Sequence, residues 1–346
     1  MAALSGDDYE RLEFDFPVSA QALEYISLGA GEADVSASGV QPPRLPGSRA
    51  ALSFSGGLDS LASDYLMAHE NYLLFGTDYG GWFEREYNFL RSYPRVEFIS
   101  SVDFRRKHYG GTVRRADYIA APTLLIADYF DLQSLAAGTT LETNEETIFG
   151  RPFRANENAM LAAGVTDGTA IKGCTEFLTS KIVLQNEPQV VEDSLRSLAA
   201  EGSEKSFRKA LSIEMARASL SGRDPSLENV TPPKGRVQFG TSIYVDFAFI
   251  VLATVFGAGE LAPWVDFPDA VVAGVDTFDP GWIFSYHPIG MATLTEPQKQ
   301  SLEIGLKNNE ISVFTEDESA NYDRFVAVLQ NAQQEVAART QDQPSN

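Results

Sequence analysis

The chain has 346 residues, with 27 Lys and Arg against 48 Asp and Glu, a formal net charge of −21 with histidine neutral, and 44% hydrophobic residues. That is roughly two domains at about 150 residues each, of globular and not disordered composition, and long enough to bury a core without disulfide or metal staples. One Cys cannot close an internal disulfide, and one Cys with three His cannot supply a Cys-rich zinc site, so no zinc is expected.

Cysteine usage fits a reducing compartment, and the expected location is the cytoplasm. The N-terminus is acidic before its first Arg and does not read as a signal peptide. The longest charge-free stretch, 16 residues between Asp279 and Glu296, and the most apolar one, 13 residues between Asp246 and Glu260, both fall short of a membrane span. The second reads as a buried helix. A strongly acidic chain lacks the broad positive field that neutralises phosphates, which disfavours nucleic acid as a partner. A local basic strip, Arg105, Arg106, Lys107, Arg114 and Arg115, keeps that partner open.

In chain order, residues 1–48 hold a short segment, Leu12 to Ile26, then a Gly/Ala/Ser/Pro-rich run through Gln41-Pro42-Pro43-Arg44-Leu45-Pro46-Gly47 that reads as a linker. From Ala50, short apolar runs alternate with helical ones. Ala50 to Phe54 precedes Leu58 to His69, Tyr72 to Thr77 precedes Phe83 to Arg91, and Val96 to Ser100 precedes Pro122 to Phe130, with Leu135 to Ala137 following. The alternation predicts βαβ units, a parallel twisted sheet with helices on both faces, over residues 49–187. Pro122 is placed in the first turn of its helix, where a missing N–H costs nothing. Over residues 188–339 helical periodicity dominates: Val190 to Ala200, Lys205 to Leu220, Val237 to Phe256, Pro297 to Asn308 and Tyr322 to Ala338. Gly222-Arg223-Asp224-Pro225 and Pro232-Pro233 interrupt this mainly helical C-terminal region, and residues 340–346 read as a frayed tail.

The chemistry-bearing segment is Ser55-Gly56-Gly57-Leu58-Asp59-Ser60, which leads from an apolar strand directly into a helix. Two glycines let the backbone turn tightly and approach a ligand. The free N–H groups and dipole of the helix start favour an anion. Ser55 and Ser60 add hydroxyls, and Asp59 either caps the helix or binds magnesium carried by phosphates. Gly29-Ala30-Gly31 and Gly257-Ala258-Gly259 lack a third glycine and read as turns or helix ends.

An SGGxDS loop after the first strand of an α/β sheet resembles the pyrophosphate-binding loop of the N-type ATP pyrophosphatases, whose adenine nucleotide alpha hydrolase-like fold is Rossmann-like. The resemblance extends over about residues 49–187. Phe75-Gly76-Thr77-Asp78-Tyr79-Gly80 is similar to the Asp-Tyr-Gly segment of the 7-cyano-7-deazaguanine synthase branch, whose zinc cysteines this chain lacks. Ala137-Gly138-Thr139-Thr140 stands where that superfamily places a Gly-x-Asn segment near the nucleotide, with Thr140 in place of Asn and Glu142 or Thr143 near the usual Asp. Thr179-Ser180-Lys181 resembles the stretch that brings a lysine toward the phosphates, set against the plainer reading of an exposed lysine at a helix start. Cys174 reads as a small packed hydrophobe.

The resemblance implies ATP and Mg2+ as cofactors. It places Ser55, Gly56, Gly57, Leu58 and Ser60 at the pyrophosphate, Asp59 and Asp78 at magnesium, Lys181 at the phosphates, and Gly138 and Thr139 beside the nucleotide. The implied reaction adenylates a carboxylate or carbonyl oxygen of a small molecule, a modified-nucleobase precursor being one case, after which ammonia or an amine displaces AMP. A homo-oligomer is allowed. Two other functions stay open: a nucleotide sensor or assembly subunit without turnover, and a tRNA-modifying sulfur-transfer enzyme that would need Cys174. His69, His108 and His287 read as structural or solvated. Around His287, Trp282, Phe284 and Tyr286 either line an apolar pocket or pack as core.

Overall fold

A computed structural model describes residues 10–30, 32–78, 84–100, 117–151 and 157–341. In chain order its elements are β1 (Arg11–Ser19), α1 (Ala20–Gly29), β2 (Asp34–Gln41), β3 (Arg49–Ser53), α2 (Leu58–Leu66), β4 (Leu73–Asp78), α3 (Glu84–Ser92), β5 (Val96–Ser100), α4 (Asp117–Leu125), β6 (Leu132–Ala136), α5 (Glu145–Ile148), α6 (Glu157–Ala162) and β7 (Thr166–Asp167). These are followed by α7 (Glu176–Asn186), α8 (Val191–Leu198), α9 (Glu204–Ser221), β8 (Val237–Gln238), α10 (Ile243–Phe256), α11 (Ala258–Leu261), β9 (Val265–Asp266), α12 (Asp269–Gly274), α13 (Glu296–Asn308) and α14 (Glu316–Gln341). Two compact units divide the chain. The first comprises Met1–Gly138, Arg154–Ala170 and Thr293–Ser301, and the second Thr139–Phe153, Ile171–Ala292 and Leu302–Asn346.

The first unit holds a five-stranded, all-parallel sheet in the order β5-β4-β3-β6-β7, flanked by helices. Its first strand in sequence is central: β4 and β5 extend the sheet to one side of β3, and β6 and β7 to the other. The order therefore reverses between β3 and β6. Ligands of open α/β sheets bind beyond the carboxyl ends of the strands at such a reversal. Ala51 and Leu52 of β3 are wholly buried, as strands covered on both faces must be. Ala51, Phe75, Leu132, Leu135, Met160 and Val165 share one apolar core.

Two local expectations are corrected. The Gly/Ala/Ser-rich run after α1 is not all linker, because its residues 34–41 form β2, paired parallel with β1. Ser19 caps α1, its Oγ accepting from Ala22 N at 3.1 Å, and Val18, Ala22 and Ile26 pack with Phe14, Leu23, Val35 and Ala37. Small residues are poor strand formers, but pairing and helix cover outweigh propensity. The Pro-rich remainder is a fixed strap: Arg44 Nη1 donates to Leu132 O (2.8 Å) and Gly164 O (3.2 Å), Nη2 to Ala127 O (3.0 Å), and Nε pairs with Asp128. At Gly47, a Cβ would lie 2.1 Å from Asp131 O, so no side chain fits there. Pro122, in turn, lies inside α4 and not in its first turn. Burial of Ala120 and Ala121 offsets the hydrogen bond that a mid-helix proline removes.

The second unit is mainly helical, and its core is built on α10. Residues 245–253 of that helix are all buried, because it is apolar around its whole circumference. The expected helix from Val237 is shorter at its start. Residues 237–238 pair as β8 with β9, and Gly240, at φ +85°, turns the chain before α10 begins. Asp246 holds that turn, Oδ1 and Oδ2 accepting from Gly240 N at 3.0 and 3.1 Å. α14 begins six residues before the predicted Tyr322, since its acidic first turn, Glu316 to Glu318, suits a helix N-terminus without showing apolar periodicity. Among the described residues no helix is long and apolar enough to cross a membrane.

A buried ionic cluster joins α7 to α9. Glu176 pairs with Arg208 and with Lys209 (3.2 Å), and Arg208 also pairs with Glu204 (2.7 Å). Burial pushes Glu176 up, but the two cations win and hold it below the usual carboxylate range. Removing Arg208 leaves the buried Glu176 carboxylate with Lys209 alone. Arg208→Ala is expected to cost about 3–5 kcal/mol in urea unfolding.

Candidate functional site

The predicted loop lies at the sheet reversal. β3 ends at Ser53, Phe54 N still donates to Phe75 O of β4 (2.9 Å), and the chain then turns through Gly56, at φ +73°, into α2. This backbone conformation is one that L side chains rarely adopt, which is the reason for a glycine at 56. α2 is capped by Gly57, with extended backbone and no side-chain cap bond. Asp59 therefore does not cap the helix; it stands in the first turn, half-buried. A helix start that no side chain caps is an anion site in waiting.

The two serines face each other. Ser55 is exposed and Ser60 buried, and their hydroxyl oxygens are 3.4 Å apart. Gly57 N donates to Ser55 Oγ (3.3 Å), and Ser60 Oγ donates to Gly57 O (3.0 Å). Leu58 is fully buried, so its side chain belongs to the core and only its backbone is available to a ligand.

Gly138 stands across from this helix start. Leu52 of β3 pairs with Ala136 of β6, which brings the residue two beyond β6 level with the loop. A Cβ at 138 would lie 3.6 Å from Ser60 N and 3.8 Å from Asp59 Cβ, so glycine keeps clear the space in front of the α2 amides. That cleared space is the feature that fits a phosphate group. Asp78 is the last residue of β4, half-buried and three positions beyond Phe75, the partner of Ser53. Tyr79 and Gly80 lie outside the described residues. Magnesium takes one or two carboxylates together with phosphate oxygens and water, a donor set that Asp59 and Asp78 suit. Among the described residues no group of three or more His, Cys, Asp or Glu is placed to hold a metal by itself.

Thr139 and Lys181 belong to the second unit. Thr139 is half-buried. Thr140 and Thr143 form a reciprocal cap, Thr140 N donating to Thr143 Oγ1 (3.2 Å) with the hydroxyls 2.8 Å apart, and buried Glu142 accepts from Glu176 N (2.6 Å). The positions matched to Asn and Asp of the resembled segment thus serve local structure. Lys181 is the sixth residue of α7 and not at a helix start. It is half-buried with Nζ 5.2 Å from the centre of the Phe284 ring, and burial lowers its pKa while Glu310 opposes the shift.

Cys174 is fully buried, as a small packed hydrophobe. Trp282 and Tyr286 are buried in the packing of the second unit, so the cluster around His287 is core. His69 lies in a short 3-10 helix, Ala68–Glu70, and His108 and the basic strip fall outside the described residues. Two residues at the loop were missed in the sequence. Thr169, just beyond β7, accepts at Oγ1 from Ala137 N (3.0 Å) and steadies the approach to Gly138. Phe89 of α3 lies on Gly56. Both act across more than thirty residues of sequence, so no local signal marks them.

No family model matches the chain, and neither a curated protein nor a solved structure gives a match. Fold and loop geometry define the class: an α/β protein with a left-handed glycine turn at the reversal point of an all-parallel sheet.

His287 generates a pH prediction. Its Nδ1 accepts from Ile289 N (3.1 Å), its ring lies 4.8 Å from that of Phe314 and 4.9 Å from that of Tyr322, and burial lowers its pKa to about 4, opposed by Asp323. The folded state binds this proton less readily than the unfolded state, whose histidine titrates near 6.5. Its stabilising contribution is present above pH 6.5 and is lost as pH falls toward 4. Relative to His287→Asn, which keeps a cap acceptor, the wild type is expected to lose about 3 kcal/mol over that window, read by urea titration at each pH.

Proposed function

We propose that the loop Ser55–Ser60 binds the pyrophosphate portion of ATP and that the chain is an AMP-forming ligase or synthase of the ATP pyrophosphatase type. The observation that carries this reading is the uncapped start of α2, entered through a left-handed glycine at the sheet reversal, with Gly138 leaving the facing space clear. In this reading the backbone of Gly56, Gly57 and Leu58 and the hydroxyls of Ser55 and Ser60 hold the leaving pyrophosphate. Asp59 and Asp78 hold Mg2+, which supplies charge neutralisation, and Gly138 flanks the nucleotide.

The reaction is displacement at phosphorus. An oxygen of a small-molecule carboxylate or carbonyl bonds to the α-phosphorus, the bond to the β-phosphate oxygen breaks, and pyrophosphate leaves with its electron pair. Ammonia or an amine then bonds to the activated carbon, releases AMP and gives up a proton. Catalysis of this kind is positioning plus donors aimed at developing negative charge. The acidic composition argues for a small acceptor over nucleic acid, and the fully buried Cys174 argues against sulfur transfer through that residue. The single cysteine suits a reducing compartment, the cytoplasm. A second reading, nucleotide sensing without turnover, is favoured by one feature: Thr140, Glu142 and Thr143 are engaged locally instead of facing a nucleotide.

Mg-ATP at a hundred times its dissociation constant stabilises a protein by about 2.7 kcal/mol. A rise in thermal midpoint is expected for the wild type and is expected to vanish in Asp59→Ala. Carboxylates screened with ammonia should yield AMP and pyrophosphate in equal amounts, with release abolished in Asp59→Ala and Ser60→Ala. Full turnover in both variants would refute the site; a midpoint shift with no pyrophosphate release for any acceptor would favour the sensor.

A further inference from the structure

The phosphate-type loop is held from outside by a helix that the reaction does not use. α3 and the turn after it place side chains against the end of β3, the loop itself and α2. A Cβ at Gly56 would come within 2.5 Å of Phe89 Cδ1, 2.7 Å of Phe89 Cε1 and 3.3 Å of Leu90 Cδ2, so the Phe89 ring rests directly on the Gly56 backbone. Phe89 stacks on Tyr93 with ring centres 6.2 Å apart, and Tyr93 lies 5.0 Å from Phe54, two residues before Gly56. The Tyr93 hydroxyl is 3.2 Å from that of Tyr65 on α2, and Arg95 Nη2 donates to Asp64 Oδ2 on the same helix (2.6 Å). One short stretch, residues 89–95, thus contacts the chain before the loop, at its left-handed glycine and after it.

We propose that Phe89 is a positioning residue of the nucleotide site: its ring holds Gly56 in the left-handed conformation and so sets the loop before the pyrophosphate arrives. The proposal rests on the nucleotide reading of the same loop. Glycine has the widest backbone freedom of any residue, and a Gly-Gly pair with nothing packed on it would have to be ordered by the ligand, which weakens binding. The ring restricts that freedom without touching the ligand. Phe89 is partly exposed, so its loss does not open the sheet core.

Three variants are compared with the wild type by hydrogen exchange at the amides of residues 55–58, by calorimetric titration with Mg-ATP and by the thermal midpoint without ligand. In Phe89→Ala, exchange at Gly56 and Gly57 is expected to rise, and the Kd for Mg-ATP to rise, each by about tenfold or more. Phe89→Leu, which restores an apolar contact, should recover most of both. A merely structural residue would lower the midpoint without this joint, rescuable change. Should Phe89→Ala not fold, Tyr93→Leu, which removes the ring behind Phe89, is expected to give the same pair of changes in weaker form. Exchange that stays at the wild-type rate, or Mg-ATP binding as tight as in the wild type, would overturn the proposal. Wild type that binds no Mg-ATP would overturn it together with the nucleotide reading, an outcome recognisable because the wild type itself fails.

Discussion

The first unit depends on one constraint: a fully buried central strand must become a helix within a few residues. At the end of β3 the backbone leaves the ladder after Phe54, passes through the left-handed conformation at Gly56 and enters α2 at Gly57 with no side-chain cap bond. A bulkier residue at 56 would meet both a disfavoured backbone conformation and the Phe89 ring. Because β3 is central and the strand order reverses beside it, this turn lies at the reversal point of the sheet. Turn, uncapped helix and reversal point coincide, and that coincidence, more than any single residue, is what the proposed function rests on.

Elsewhere, two sets of charged groups are engaged within the fold itself. Arg44 spends its guanidinium on three carbonyls and Asp128, fixing a proline-rich strap to the first unit. In the second unit, Glu142 takes the amide of Glu176, whose carboxylate is shared by Arg208 and Lys209. Desolvation would make the buried charges of Glu176, Arg208 and Lys209 costly if left alone, so their mutual pairing reads as structural. The contrast with α2 is informative. α1, α7 and α9 are capped by Ser19, Thr175 and Ser203, whereas α2 alone of these longer helices presents a glycine cap at the crevice.

Much of the fold was legible because its signals are local. The runs Arg49–Ser53 and Leu73–Asp78 are short and apolar, and Ile243–Phe256 is apolar on nearly all sides; such segments have one low-energy destination in water, burial as strands or as a core helix. What was misread had weak local signals. β2, with the sequence Asp-Val-Ser-Ala-Ser-Gly-Val-Gln, is a strand only because β1 and α1 give it something to pair with and pack on. Pro122 sits within α4 because packing pays the backbone cost, and a proline carries no mark of that in sequence. The helix start expected at Lys181 is displaced: α7 begins at Glu176, and Lys181 is half-buried within it.

By itself, the sequence determined the chemical types at the candidate site: two serines, two glycines and an aspartate between a strand and a helix, since phosphate-binding turns require small residues and hydroxyls at fixed spacing. It also determined the alternation that makes a parallel sheet. The tertiary structure decided the rest. It made β3 central, set the reversal beside it, brought Gly138 opposite Ser60, and laid Phe89 on Gly56 and Thr169 on Ala137. It also divided the chain into units that each gather separate stretches of sequence. The physical reason is the range of the forces: backbone conformation and hydrophobic periodicity act over a few residues and are written locally, whereas close packing and strand order bring together residues whose separation in sequence carries no record of their contact.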